Sequence, residues 1–194
     1  MPIRNDREYR KAEPFEAKED GYIVEGYAST FDPYVLYSDG TTEVREQIDP
    51  HAFDDADMSD VIFQYDHEGR VYARQSNGTL ELGVDGHGLK VRADLSKTEG
   101  ARQLYEEIRS GMITQMSFAF TVAEDDYNKR EHLRTVKRVR KLFDVSAVSI
   151  PANPGTEISA RSYAEGVIEQ ERLERAEAEE RDRKVRALKL RLSL

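Results

Sequence analysis

The chain has 194 residues, with 29 Lys and Arg against 38 Asp and Glu, for a formal net charge of −9. That balance argues against a dedicated nucleic-acid binder, which presents a basic patch. The basic run Lys137, Arg138, Arg140 and Lys141 reads instead as a solvated strand face. There is no cysteine, so disulfides, thiolate metal sites and cysteine nucleophiles are excluded. No apolar run approaches the roughly 18 to 20 residues of a membrane span, and the first twenty residues lack the apolar core of a secretory signal. No membrane partner is expected, and a cytoplasmic chain fits.

Charge is concentrated at the two ends. Residues 1–20 carry eleven charges, and residues 165–194 carry eight acids and eight bases. Between them, 21–164 is long enough for one sizeable core. This divides the chain into a charged N-terminal segment (1–20), a globular domain (21–164) and a charged helical tail (165–194).

Residues 22–28 favour a strand, with β-branched and aromatic residues alternating with polar ones. Pro33 and Ser38-Asp39-Gly40 punctuate a loop. Val44 to Ile48 is a short strand, and Asp49-Pro50 leads into a short helix ending near Asp54 to Asp57. Val61 to Tyr65, Val71 to Arg74, Thr79 to Val84 and Leu89 to Leu95 read as strands. In the last, Leu89, Val91, Ala93 and Leu95 share one face. Asp85-Gly86 and Gly88 supply the positive-φ positions of a turn.

Ser96-Lys97-Thr98-Glu99 reads as a capping box with Ser96 as N-cap. Ala101, Leu104, Tyr105 and Ile108 then make one buried helical stripe, closed by Gly111. Gln115 to Val122 is β-prone, 125–128 turns the chain, and Leu133 to Ile150 is a long strand ended by Pro151 and Pro154. The tail favours a helix with pairs such as Glu171–Arg175 and Glu177–Arg181, and with Val185, Leu188 and Leu192 as an apolar stripe. Many strands, one well-capped helix and a helical tail predict a mixed α/β chain, mainly β: a closed antiparallel β-barrel with peripheral helices.

Three side chains could carry chemistry. His67 follows an apolar strand in Asp66-His67-Glu68-Gly69-Arg70; it is either a surface-loop histidine or an imidazole presented from a rigid strand end. The other histidines, His51, His87 and His132, read as solvated. Ser117 lies between Met116 and Phe118 in a strand that reads as buried. Burying an unpaired hydroxyl costs about 1 to 3 kcal/mol, so its Oγ needs a partner, either a backbone carbonyl or a base. Asp144 sits within the apolar run Leu142 to Ile150. It needs a cation or a donor: Arg138, Arg140 or Lys141, or a histidine that it would then orient. The sequence around Ser117 is not the Gly-x-Ser-x-Gly elbow, which disfavours an α/β-hydrolase. There is no phosphate loop and no dinucleotide fingerprint. His67 has no second nearby His, so neither a metal nor a cofactor is expected.

Several short segments, taken in order and spacing, carry a resemblance. They are Gly26-Tyr27-Ala28, Ile48-Asp49-Pro50-His51-Ala52-Phe53, the His67 segment, Gly88-Leu89-Lys90-Val91, Ile108 to Gly111, Met116-Ser117-Phe118, and Asp144 through Pro154. Over roughly residues 21–160 the chain resembles the prohead (capsid maturation) proteases of tailed phages. The resemblance implies a fold like that of herpesvirus maturation proteases, a closed β-barrel surrounded by helices. By matched position it implies Ser117 as nucleophile, His67 as general base and Asp144 as third member. The family commonly has Glu at that third position and Asn-His-Asp around the base, where this chain has Asp144 and Asp66-His67-Glu68.

Domain 21–164 would then be a serine endopeptidase domain, with an oxyanion hole expected near Pro151 to Gly155. Its partners would be the major capsid protein with its scaffold segment, with self-association also possible. Its place would be the immature capsid in the host cytoplasm, and the tail would dock to the scaffold or be removed by self-cleavage. The alternatives are a non-catalytic capsid assembly or scaffold protein on the same barrel and, more remotely, a metal-dependent hydrolase built on His67.

Overall fold

The computed structural model describes residues 7–19, 21–149 and 154–192. Its strands run, in order, β1 (Glu8–Pro14), β2 (Glu16–Ala17), β3 (Ile23–Thr30), β4 (Tyr34–Ser38), β5 (Glu43–Ile48), β6 (Ile62–Tyr65), β7 (Glu68–Arg74), β8 (Leu80–Val84), β9 (Gly88–Asp94), β10 (Gln115–Asn128) and β11 (Leu133–Val148). Two helices complete them, α1 (Glu99–Arg109) between β9 and β10 and α2 (Pro154–Leu192) after β11.

The strands form two sheets. A seven-stranded sheet has the order β1-β10-β11-β5-β4, with the β6–β7 hairpin attached through β11; a four-stranded sheet has the order β2-β3-β9-β8. Neither closes on itself, so the expected closed barrel is wrong, although the chain is mainly β with few helices. Pro14 cannot donate to a ladder, and the β1–β10 register breaks between Lys11 and Pro14. The chain leaves the first sheet there, turns on buried Phe15 and enters the second as β2. β3 then pairs with β2 and β9, not with β1 or β10. Nor is the pairing wholly antiparallel: β11 runs parallel to β5 at its start and parallel to β6 near its end.

The two sheets enclose one apolar cluster. Met116, Phe118 and Phe120 project from β10, and Leu89, Val91 and Ala93 from β9, all at most 1% exposed. Fully burying a side chain of this size contributes about 1.5 to 3 kcal/mol. Helix α1 closes one end with the expected stripe Ala101, Leu104, Tyr105 and Ile108, all buried. Its cap is Thr98, not Ser96: the Thr98 hydroxyl accepts from Ala101 N–H at 3.1 Å. Gly111 has φ 76°, as its place beyond the helix end requires.

Other expectations shift in smaller ways. The stretch after Pro50 is a series of turns, not a helix, with Ala52 bonded back to Asp49 and Ala56 back to Phe53. Residues 34–38, read as loop, form β4. β10 continues through 125–128 before the chain reverses. Gly88 does not have positive φ; it is needed because a Cβ there would lie 1.9 Å from the Ser29 carbonyl oxygen. The N-terminal segment is partly built into the sheet as β1. α2 is one continuous helix through residue 165, with Tyr163 and Ala164 buried and Val185 and Leu188 exposed. The Glu171–Arg175 pair forms at 3.5 Å. Among the described residues no helix is long and apolar enough to cross a membrane.

Candidate active site

β10 is buried from Met116 to Val122, where it lies between β1 and β11 within its sheet. Its period-2 pattern sends Met116, Phe118 and Phe120 into the apolar core and Ser117 to the opposite face. Ser117 stands opposite Ser146 on β11. Asp144, two residues before Ser146, therefore shares that face. β6 lies on the far side of β11, with Ile62 opposite Asp144 and Tyr65 opposite Ala147. The β6–β7 turn carries His67 from there back over the same face. Three strands adjacent in the sheet thus converge three side chains that are far apart along the chain.

The side chains form one hydrogen-bonded line. The Ser117 hydroxyl lies 2.7 Å from His67 Nε2. His67 Nδ1 lies 2.5 Å from Asp144 Oδ1. With the carboxylate able only to accept, Nδ1 carries the proton and Nε2 is left as the acceptor for Ser117 Oγ–H. Asp144 Oδ1 also accepts from Ser146 Oγ–H at 2.8 Å. The His67 ring is braced edge-on against Tyr9 of β1, with centroids 4.7 Å apart. The side chains of His67 and Asp144 are 3% and 2% exposed, and Ser117 is 2% exposed.

Of the alternatives open in the sequence, the hydroxyl has a base rather than a carbonyl as its partner. The carboxylate has the histidine rather than a nearby cation: Lys141 bonds Asp57 at 2.7 Å and Arg138 bonds Glu124 at 2.8 Å. His51 is a surface residue, its side chain 83% exposed beside Asp54. His132 is half-buried, bonded to Tyr127 at 3.0 Å beneath α2. The expected oxyanion stretch, Pro151 to Gly155, lies outside the described residues apart from the backbone that opens α2. Among the described residues no group of three or more His, Asp or Glu side chains is arranged to hold a metal.

A second buried polar network was not anticipated. Glu8 and Arg10 of β1, Glu46 of β5 and Arg134 of β11 are each at most 4% exposed. Arg10 bonds both Glu8 and Glu46, Arg134 Nη1 reaches Glu8 and Glu46 at 2.7 Å each, and Tyr34 O–H donates to Glu46 at 2.5 Å. Burial alone would raise the Glu8 carboxyl, but hydrogen bonds and charge from Arg134 and Arg10 override it and hold the group at about 2. Glu46 is lowered in the same way, its burial outweighed by Arg10 and Arg134. A signal for this network exists in Val44-x-Glu46-x-Ile48, whose alternation puts Glu46 on the inward face.

The arrangement of Ser117, His67 and Asp144 can move a proton from a hydroxyl to an imidazole and stabilise the resulting imidazolium, which is the requirement of nucleophilic acyl transfer. The comparisons with known proteins point the same way. A prohead protease of Enterobacteria phage HK97 is 30% identical over 149 residues, covering 75% of this chain and 62% of the relative. The chain therefore spans less than two thirds of that relative's length. No solved structure matches the chain significantly. The family model described as caudovirus prohead serine protease matches residues 7–190, nearly the whole chain, with β1 and all but the last two residues of α2. The chain belongs to the caudovirus prohead serine protease family.

Proposed function

We propose that this chain is a serine endopeptidase that cuts the scaffold segment from the major capsid protein inside the immature capsid, and that it also cuts itself. The observation that carries the reading is the line from Ser117 Oγ through His67 to Asp144, 2.7 and 2.5 Å long. The family membership and the prohead protease relative support the substrate class.

Ser117 Oγ attacks the scissile carbonyl carbon while His67 Nε2 takes its proton. The carbonyl π electrons move onto the oxygen, giving a tetrahedral intermediate. On collapse the C–N bond breaks, and His67 returns the proton to the departing amine. Water then attacks the acyl-serine with His67 again as base, releasing the new carboxyl terminus and restoring the hydroxyl. Asp144 keeps the imidazole in the Nδ1–H tautomer and stabilises it when charged. Ser146 holds the accepting oxygen of Asp144.

The charged distal part of α2, exposed beyond Glu171, suits docking to a scaffold segment or removal by self-cleavage. Co-expression with the capsid protein tests the reading. Wild type should shorten the capsid protein, and Ser117→Ala should leave it full length. Intact-mass measurement should show a shortened form of this chain only when Ser117 is present. Shortening that persists in Ser117→Ala overturns the mechanism. Assembly without any cleavage by wild type favours the non-catalytic scaffold reading.

A further inference from the structure

The hairpin that presents His67 has an unusual tip. Tyr65 of β6 pairs with Glu68 of β7, leaving Asp66 and His67 as a two-residue loop. Both have positive φ, 49° and 60°. Two successive left-handed residues make a type I′ turn, whose twist fits a hairpin but whose backbone favours Asn, Asp and Gly. Histidine is tolerated there less readily than glycine, so this geometry persists only where its surroundings hold it.

What holds it is Asp66. Its N–H donates to the Ala147 carbonyl at 2.8 Å, extending the β6–β11 ladder to the turn. Its carboxylate then grips Ser149 twice: Oδ1 accepts from the backbone N–H and Oδ2 from the hydroxyl, each at 2.8 Å. Ser149 follows β11 directly, the strand that also carries Asp144 and Ser146 and lies beside Ser117. One strand therefore fixes the imidazole from two sides. Asp144 holds the ring from within the sheet, and Ser149, through Asp66, holds the backbone that aims the ring.

We propose that Asp66 is a positioning residue: by clamping the β6–β7 turn to the end of β11 it keeps His67 in the left-handed conformation that brings Nε2 to Ser117. Asp66 touches neither the hydroxyl nor the ring and acts only through the backbone. The inference rests on the peptidase reading.

Three variants separate the clamp from the turn. Asp66→Gly suits positive φ, so the hairpin forms but the carboxylate is gone. Asp66→Asn also suits the turn and keeps an acceptor for Ser149 N–H. Ser149→Ala removes only the hydroxyl bond. The assay is steady-state cleavage of a peptide spanning the cut site mapped in the co-expressed capsid protein. Asp66→Gly should lower kcat ten- to a hundredfold with KM within twofold of wild type. Asp66→Asn should retain at least a third of wild-type kcat, and Ser149→Ala should fall between the two.

A second readout needs no cleavage. In a Ser117→Ala background, the His67 Nδ1–H resonance should broaden or vanish on Asp66→Gly and persist on Asp66→Asn. Wild-type kcat together with an unchanged His67 resonance in Asp66→Gly overturns the proposal. If the wild-type chain shows no Ser117-dependent cleavage, the peptidase reading fails, while the imidazole spectrum still decides whether Asp66 holds the ring.

Discussion

Two polar networks are buried in the same seven-stranded sheet, and they are built to opposite ends. The ionic one, Glu8, Arg10, Glu46, Arg134 and Tyr34, pairs every charge: both arginines reach both glutamates, Arg134 also reaches Asp125 at 2.7 Å, and each glutamate is held in its charged form. The line of Ser117, His67 and Asp144 is open-ended. Asp144 is fixed by two donors and His67 by two partners, but among the described residues the Ser117 hydroxyl bonds only His67. A network in which every charge is paired leaves no nucleophile facing a base, and it contributes to the fold. A chain of hydrogen bonds that terminates in a hydroxyl leaves one nucleophile facing a base. β1 serves both networks: Glu8 and Arg10 point to the ionic side, and Tyr9, between them, braces His67 on the other.

That contrast breaks if damage to one network has the effect expected of the other. The largest expected effect is on activity. His67→Ala should reduce cleavage per folded molecule by ~10⁴-fold or more in kcat, as base removal does in comparable triads. Asp144→Asn should cost about 10³- to 10⁴-fold, because an amide fixes the wrong tautomer. A rate near wild type for Asp144→Asn would remove Asp144 from the mechanism and leave a Ser117–His67 dyad.

Glu46→Gln should act on stability instead. It leaves Arg10 and Arg134 buried with less counter-charge, which costs about 3 to 5 kcal/mol. Thermal unfolding should show a Tm lower by roughly 10 °C for a chain of this size, with cleavage per folded molecule little changed. The same cluster sets an acid limit. A carboxyl depressed on folding takes up its proton first in the unfolded chain, so its contribution is complete above the ordinary value of 4.5 and is lost as pH falls toward about 2. Urea unfolding at pH 7, 4 and 3 should show stability falling across that window, with a shallower fall in Glu46→Gln. The smallest effect expected is that of Ser146→Ala, which removes one hydrogen bond to Asp144. About fivefold in kcat, roughly 1 kcal/mol, is the expectation.

The sequence was most legible where periodicity carried the information. The alternation of Leu89, Val91, Ala93 and Leu95 and the helical stripe of α1 both recur as buried faces. The residues of the candidate site stand out in the sequence because each breaks its local pattern: a hydroxyl and a carboxylate in buried strands, and a histidine at a strand end. Sheet closure was not legible, because it depends on which strands pair across the chain. Pro14 marks where the β1 ladder must break but not which strands pair beyond it, and the parallel pairing of β11 with β5 and β6 leaves no local mark that favours two sheets over a barrel. β1 was missed because its charges suggest solvent. A buried Glu8–Arg10 pair becomes credible only once Glu46 and Arg134, far along the chain, are placed beside it. Thr98 displaced Ser96 as the cap by two positions within the same polar run, which composition alone does not resolve.

The central claim is that the Ser117 hydroxyl is activated by His67. Covalent labelling tests it most directly: under conditions in which wild type cuts the co-expressed capsid protein, a serine-directed fluorophosphonate is added and the adduct mapped by peptide mass. A single adduct on Ser117, absent in Ser117→Ala and nearly lost in His67→Ala, is the predicted result. A chain that still cuts its substrate with Ser117 unlabelled, or that labels equally well without His67, would contradict the account.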